Sequence, residues 1–209
     1  GDRYNLAARR LMSRAIDATP LTQAFVDDLF KSYASNGKGG ATVVVAQDGK
    51  VLINKAYGVP KQAHYMPETA LPNVELRGLS QVLTASLAAD ARMDAAAIRR
   101  VTSVGGMQRV AYDSVARIWK GDVDDLYRFE QGRTALRPGA KDTSTVLRGF
   151  TTDTDNGLRR QSAFGIPDGH RSAWIRYPER RTTILILTND DAADAKALSQ
   201  RIAGKLFSK

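Results

Sequence analysis

The 209-residue sequence contains no cysteine, and this absence excludes several classes of protein at once. Without a thiol the chain has no disulfide framework, no thiolate nucleophile and no cysteine-based zinc site. Histidine is nearly absent too, because His64 and His170 are the two in the chain. A multi-histidine metal site needs more imidazoles than that, so we expect neither a bound metal nor a cofactor.

Long apolar stretches are missing as well. No run of 18 apolar residues occurs, so the sequence predicts no membrane-spanning helix. The first ten residues, GDRYNLAARR, have no signal-peptide pattern and fit a mature N-terminus or a piece of a longer chain equally well.

The chain is strongly basic, with 31 basic and 22 acidic residues and a net charge of +9. Such a charge attracts nucleic acid, anionic lipid or acidic polymers. The arginine pairs are scattered, and no aromatic-interleaved motif accompanies them, so the sequence disfavours specific nucleic-acid binding. A basic module that binds an anionic polymer stays open as an alternative. The pairs are Arg9-Arg10, Arg99-Arg100, Arg159-Arg160 and Arg180-Arg181.

Apolar and turn residues alternate in a way that predicts three β-hairpins. Asp48-Gly49 and Asn156-Gly157 are dipeptides favoured in two-residue hairpin turns, and the letters PERR separate the strands of the third hairpin. The predicted strands are Thr42–Ala46, Val51–Tyr57, Val146–Thr152, Leu158–Phe164, Ser172–Tyr177 and Thr182–Thr188.

Helical periodicity precedes, separates and follows these hairpins, which indicates an α+β layered domain. We predict an N-terminal extension helix in residues 1–18 and a single domain in residues 19–209. The predicted helices are residues 3–17, a helix that begins at Thr19-Pro20 with the stripe Leu21, Phe25, Leu29 and Tyr33, then Leu79–Met93, a short helix in MDAAAIRRV, Asp122–Phe129 and Asp190–Phe207.

Four stretches that cover about half of the chain carry a resemblance to one family. They are GATVVVAQDGKVLINKAYGV, LRGLSQVLTASLAADARMD, GDVDDLYRFEQG and GHRSAWIRYPERRTTILILTNDDAADAKALSQRIAGKLF. In that order they resemble the first hairpin, the Ser-x-x-Lys helix, a late helix, and the last two strands with the closing helix of the serine β-lactamase and penicillin-binding-protein-like superfamily. The likeness is strongest to its class C β-lactamase/esterase branch.

The resemblance implies an antiparallel sheet of about five strands with the N- and C-terminal helices packed on one face. It also implies a helical subdomain, here a reduced insert at about residues 79–145, because the missing length falls between about Met93 and Asp122. In the family that subdomain covers one side of the active-site cleft. We therefore expect the sheet edge near Ser162–Phe164 and the face beside Leu79–Leu87 to be exposed unless something covers them. Such a face would bind a protein partner or a second copy of the chain.

The catalytic residues of the family are missing where the resemblance places them. Acyl transfer in the family needs a serine, a lysine one turn later, a Tyr-x-Asn or Ser-x-Asn, and a Lys-Thr-Gly or His-x-Gly on a strand. The nucleophile falls on Gly78, its lysine on Gln81, and the strand motif on Ser162-Ala163-Phe164. Glycine has no attacking oxygen and glutamine is not a base. Tyr-x-Asn does not occur in the sequence, so the resemblance implies a pseudoenzyme.

Other serines leave an active hydrolase with a rearranged site as an alternative. Ser80 lies beside the lost nucleophile, but the residue three positions later is Leu83 rather than lysine. Ser35 and Lys38 match Ser-x-x-Lys within a predicted glycine-rich loop, residues 35–40, and a flexible loop would not hold them together.

A third arrangement combines His170 with Asp168 and Ser172. We predict a surface turn there, because near neighbours on a turn-to-strand junction do not converge as a catalytic triad. If the family's site binds a ligand without reacting, Ser162, Phe164 and His170 are the candidate binding residues.

The remaining conspicuous side chains favour structural roles. The acidic cluster Asp122, Asp124 and Asp125 predicts helix capping rather than a cation site. Trp174 is predicted in the sheet core, and Trp119 fits a core or an interface position.

The leading hypothesis from the sequence is a catalytically inactive β-lactamase-like domain that acts as a binding or protein-interaction module. An active serine hydrolase of the β-lactamase, esterase or peptidase type and a basic polymer-binding module are the alternatives. The family is mostly secreted or located in the cell envelope. This analogy favours a periplasmic or secreted location and leaves a cytoplasmic one open.

Overall fold

The computed structural model describes residues 21–35, 40–58, 74–76, 79–85, 92–135, 149–165, 171–188, 190 and 192–208. The helix predicted at residues 3–17 lies outside these ranges. In chain order the described strands are β1 (Gly40–Gln47), β2 (Lys50–Gly58), β3 (Val74–Glu75), β4 (Ala111–Asp113), β5 (Ile118–Gly121), β6 (Thr151–Asp155), β7 (Leu158–Phe164), β8 (Ser172–Tyr177) and β9 (Thr182–Thr188). The described helices are α1 (Gln23–Ser35), α2 (Ser80–Thr84), α3 (Ala95–Thr102), α4 (Val123–Ala135) and α5 (Ala195–Phe207).

The fold is α+β, and its main feature is an antiparallel sheet with the strand order β2-β1-β9-β8-β7-β6. All three predicted hairpins are present in it. The residues Asp48 and Gly49 have φ values of 53° and 76°, and Asn156 and Gly157 have 51° and 71°. Tight two-residue hairpin turns need these left-handed conformations, which Asp-Gly and Asn-Gly dipeptides adopt most easily.

The sheet has six strands rather than about five, because β6 adds an edge strand. The sequence predicts this strand at Val146–Thr152, but it spans Thr151–Asp155. The Asn-Gly turn sets the register, in which Asp155 pairs with Leu158 at the start of β7. The side chains of β6 are polar and largely exposed, so its position carries no apolar pattern that sequence reasoning could use.

The terminal helices α1 and α5 pack on one face of the sheet, as the resemblance implies. Phe30 of α1 stacks on Tyr57 of β2 with ring centroids 4.9 Å apart. Phe207 of α5 meets Tyr177 of β8 edge-on at 4.8 Å. No described helix has both the length and the apolar character needed to cross a bilayer.

Both terminal helices begin later than the sequence predicts. The helix α1 begins after Thr22, whose hydroxyl accepts the N–H of Phe25 at 3.2 Å, and not at Thr19. The helix α5 begins after Asp194, whose carboxylate caps its first turn, and not at Asp190. Several threonine and aspartate residues in each region have the chemistry of an N-cap, and packing on the sheet selects one of them.

The middle of the chain covers the other face of the sheet. Trp174 and Leu185 of the sheet are buried in one cluster with Leu83 of α2 and Phe129 of α4. The expectation that the face beside Leu79–Leu87 is exposed is therefore wrong for its described part, residues 79–85. The partner expected at that face stays a prediction, but the described residues offer it no open apolar surface there.

The middle segment is not the all-helical insert that the sequence predicts. It contains a small sheet with the strand order β3-β5-β4, whose strands of two to four residues are too short for alternation to be visible. The predicted helix Leu79–Met93 ends at Thr84 as α2. Asp94 has an extended ψ of 175° and accepts the N–H of Ala97 at 2.8 Å, so a separate helix, α3, begins there.

A tight turn at Val104–Gly106 holds α4 by direct backbone contact. Gly105 has a φ of 65°, and a Cβ placed on it would overlap the carbonyl oxygen of Arg128. A Cβ on Gly132 would lie 2.6 Å from the Cα of Gly105. Only glycine fits at both positions, because any larger residue would push the turn away from the helix.

We expect Gly132→Ala to lower the free energy of unfolding by roughly 2 kcal/mol, because the overlap costs more than alanine's helix propensity returns. Gly204→Ala in α5 is the matched control, since a Cβ there meets no atom within 4 Å. That change should stabilise the protein by up to about 1 kcal/mol. Urea denaturation midpoints measure both effects, and equal midpoints for the two variants would contradict the close contact.

Candidate functional site

The helix α2 uses its polar side chains to hold the strand β5. Ser80 is the first residue of α2, and its hydroxyl accepts the backbone N–H of Trp119 at 3.0 Å. One turn later the hydroxyl of Thr84 accepts the indole N–H of the same tryptophan at 3.1 Å. Gln81 is exposed, and Gly78 lies outside the described residues. In the described part of the chain, Ser80 therefore has a structural partner and no basic one.

The strand β7 directs Ser162 away from α2. Ala163 belongs to the core cluster between the sheet and the middle segment, whereas Phe164 packs on the terminal-helix side. Since successive side chains of a strand point to opposite faces, Ser162 points away from α2. Ser162 is buried and pairs with Thr151 of β6, so the exposed edge expected at Ser162–Phe164 is wrong at Ser162. The structure thus does not bring Ser162 and Ser80 together.

The chain itself fills the space between α2 and the start of β6. A Cβ placed on Gly149, which has a φ of 91°, would lie 2.9 Å from the carbonyl oxygen of Gln81. The next residue, Phe150, meets Trp174 edge-on with ring centroids 5.4 Å apart. Backbone and aromatic side chains of the described residues therefore pack directly against each other at this point.

The other candidate residues from the sequence are not assembled into a site. Ser35 is the last residue of α1 rather than part of a loop. Lys38, Asp168, His170 and His64 lie outside the described residues. The described residues contain no group of three or more histidine, aspartate or glutamate side chains that could hold a metal ion.

Two residues of the acidic cluster have structural roles: Asp122 caps α4, and Asp125 binds a neighbouring loop. Asp122 accepts the N–H of Asp125 at 2.8 Å and so caps α4, as the sequence predicts. The carboxylate of Asp125 is fully buried and accepts the backbone N–H groups of residues 108–110. Arg128 also donates to it at 3.1 Å. Because this one carboxylate satisfies three backbone donors, it fixes the segment that leads into β4.

A buried polar network that the sequence reasoning missed joins α4 to the sheet. Glu130 is 4% exposed and accepts from the indole of Trp174 at 2.9 Å, from Nε of Arg176 at 2.9 Å and from the hydroxyl of Thr183 at 2.6 Å. Nη1 of Arg176 donates to Gln161 at 2.6 Å. The sequence contained a sign of this network. Glu130 falls on the apolar face of α4, and Arg176 lies two residues after Trp174 on β8, so these two side chains share one face of the sheet.

A cavity of about 120 Å³ lies beside this network. Its walls are the second half of α4, the β1–β2 turn and the β8–β9 turn, and they include Tyr127, Gln131, Arg176 and Arg181. Burial raises the pKa of Tyr127, and the charge of Glu130 raises it further. Tyr127 is therefore a neutral phenol at physiological pH and can donate a hydrogen bond.

These features define a class of protein: an α+β domain in which the two ends and the middle of the chain cover opposite faces of one antiparallel sheet. No protein-family model matches the sequence, and a search among curated proteins finds no significant similarity. The likeness to the β-lactamase family therefore depends on the quoted stretches and on the order of the elements.

We expect Asp125→Asn to lower the free energy of unfolding by about 2–3 kcal/mol, because an amide has one acceptor atom where three backbone donors and a guanidinium need partners. Asp124→Asn is the matched control, since that side chain accepts from the exposed Asn54 and should contribute well under about 1 kcal/mol. Thermal and urea unfolding of both variants measure the difference. A similar loss for the two would show that Asp125 does not hold the loop.

Proposed function

We propose that this chain is a shortened relative of the serine β-lactamase-like fold that lacks catalysis and acts as a binding or interaction module. The arrangement of layers supports the proposal. The terminal helices lie on one face of an antiparallel sheet, and the helix that resembles the Ser-x-x-Lys helix lies on the other.

The hydrogen bond between Ser80 and Trp119 carries the proposal. A catalytic serine needs a base within about 3 Å to remove its proton and an open position for the carbonyl that it attacks. The hydroxyl of Ser80 instead accepts a backbone N–H at 3.0 Å. The residue at the lysine position, Gln81, is uncharged at any pH, and Gly149 packs against its carbonyl oxygen.

The position of Ser162 gives a second, independent support. In the family a cation on this strand helps to bind the substrate carboxylate opposite the nucleophile. Here the residue is a buried serine whose side chain lies on the terminal-helix side of the sheet. A substrate beside α2 would contact neither the hydroxyl of Ser162 nor the other side chains of β7 that lie on the terminal-helix side of the sheet.

We expect a fluorescent penicillin and a fluorophosphonate to leave the folded protein unlabelled after prolonged incubation. Intact-mass spectrometry measures labelling, and an active serine hydrolase assayed in parallel controls for the probes. The Ser80→Ala variant separates true from background labelling, because it removes the serine nearest the family's nucleophile position. Stoichiometric labelling of any serine would sink the proposal and favour an active hydrolase with a rearranged site, and its loss in Ser80→Ala would identify Ser80 as the nucleophile.

A second candidate function, binding of an anionic polymer, is favoured by where the charges lie. The acidic residues Asp122, Asp125 and Glu130 are buried and internally bonded, whereas Arg99 and Arg100 on α3 are exposed. Arg99 and Arg100 therefore place two adjacent positive charges on the outer surface of α3.

For this second function we expect polyphosphate to bind with an affinity that falls steeply as salt increases, because binding releases counterions. Fluorescence anisotropy with a labelled polyphosphate at several salt concentrations measures the slope. Arg99→Gln combined with Arg100→Gln should reduce the slope, while an affinity that is independent of salt would remove this candidate.

A further inference from the structure

The cavity beside Glu130 is lined by charged and polar side chains. It lies at one end of the sheet, between α4 and the turns that end β1 and β8. Its floor is the buried ion pair of Arg176 with Glu130, whose side chains are 5% and 6% exposed. Buried charges of this kind are held in fixed positions by their hydrogen bonds, so they present a preorganised surface to a ligand.

Two side chains of the cavity lining supply hydrogen-bond donors. The carboxylate of Glu130 already accepts from Trp174, Arg176 and Thr183. The described bonds of Arg176 use Nε and Nη1, and its Nη2 carries two further N–H donors. The phenol of Tyr127 adds another donor at the wall. An acceptor-rich ligand is therefore the complementary one.

The charge of the lining also favours an anion. Two guanidinium groups, those of Arg176 and Arg181, line the cavity together with the single carboxylate of Glu130. Arg181 is paired with Asp48 at 3.5 Å, but these side chains are 72% and 64% exposed. Such an exposed pair contributes little, so Arg181 can turn toward a ligand at small cost.

The cavity has a volume of about 120 Å³, which suits a small ligand. We propose that this cavity binds a small oxyanion, a carboxylate or a phosphate, through the guanidinium groups of Arg176 and Arg181 and the phenol of Tyr127. This proposal gives a ligand class for the binding role proposed above, and it rests on that role alone. It is independent of the absence of catalysis, because labelling of Ser80 would leave the cavity intact.

The two tryptophans of the chain provide the reporter and its control. The indole N–H of Trp174 donates to Glu130 at the floor of the cavity, and that of Trp119 donates to Thr84 on α2. In ¹⁵N–¹H correlation spectra we expect titration with inorganic phosphate or with acetate to shift the Trp174 indole signal saturably and to leave that of Trp119 in place. The anion that binds more tightly, phosphate or acetate, identifies the ligand class. A titration with sodium chloride at matched ionic strength controls for the effect of salt.

Neighbouring arginines supply matched variants. Arg181→Gln removes a lining charge and should weaken binding about tenfold, the effect of one lost charge-assisted hydrogen bond. Arg180→Gln removes the same charge from the same turn at a residue that does not line the cavity, and it should leave the affinity within about twofold. Both side chains are exposed, so both variants should fold.

Three results would overturn the proposal. The first is the absence of a saturable Trp174 shift with either anion at tens of millimolar. The second is equal weakening by Arg180→Gln and Arg181→Gln, which would mean attraction by the general surface charge. The third is a parallel shift of both indole signals, which would mean a global change rather than binding in the cavity.

Discussion

The carboxylate of Glu130 fixes α4 against the sheet, and most of the middle segment that covers this face of the sheet depends on that contact. It accepts hydrogen bonds from Trp174, Arg176 and Thr183 on two adjacent strands. A buried charge with three donors stays in place because any movement of the helix would leave it uncompensated, at a cost of several kcal/mol. The helix is thereby held in one position along the strands, which apolar packing alone would specify less sharply.

The consequences extend outward from α4 through further fixed contacts. Its first turn carries Asp125, which holds the segment leading into β4, and the small sheet that follows brings Trp119 to Ser80. The serine nearest the family's nucleophile position therefore belongs to a chain of structural contacts that begins at Glu130. The same contact shapes the proposed anion cavity.

Much of the sheet and of the terminal helices could be predicted from local sequence. The Asp48-Gly49 and Asn156-Gly157 turns act within four residues, so their hairpins could be predicted without knowing the rest of the fold. The apolar stripe of α1 was predicted in part: Leu29 and Tyr33 are buried, but the fully buried residues of the helix are Val26 and Phe30, which the predicted stripe did not include. The capping residues were predicted less well, since Thr19 and Thr22 offer the same chemistry and only packing chooses between them.

For the candidate site, the sequence predicted only which catalytic side chains are missing. The sequence by itself determined that a lysine is absent at Gln81 and that the hairpins and terminal helices form an α+β layered domain, because side-chain chemistry and local periodicity are properties of short segments. The tertiary structure decided that Ser162 points away from α2, that Gly149 closes the gap beside Gln81, and that Glu130 and Arg176 meet beneath a cavity. Those outcomes depend on strand register and on contacts between residues 46 or more positions apart, so a local pattern, such as the place of Glu130 on the apolar face of α4, does not specify the contact partner.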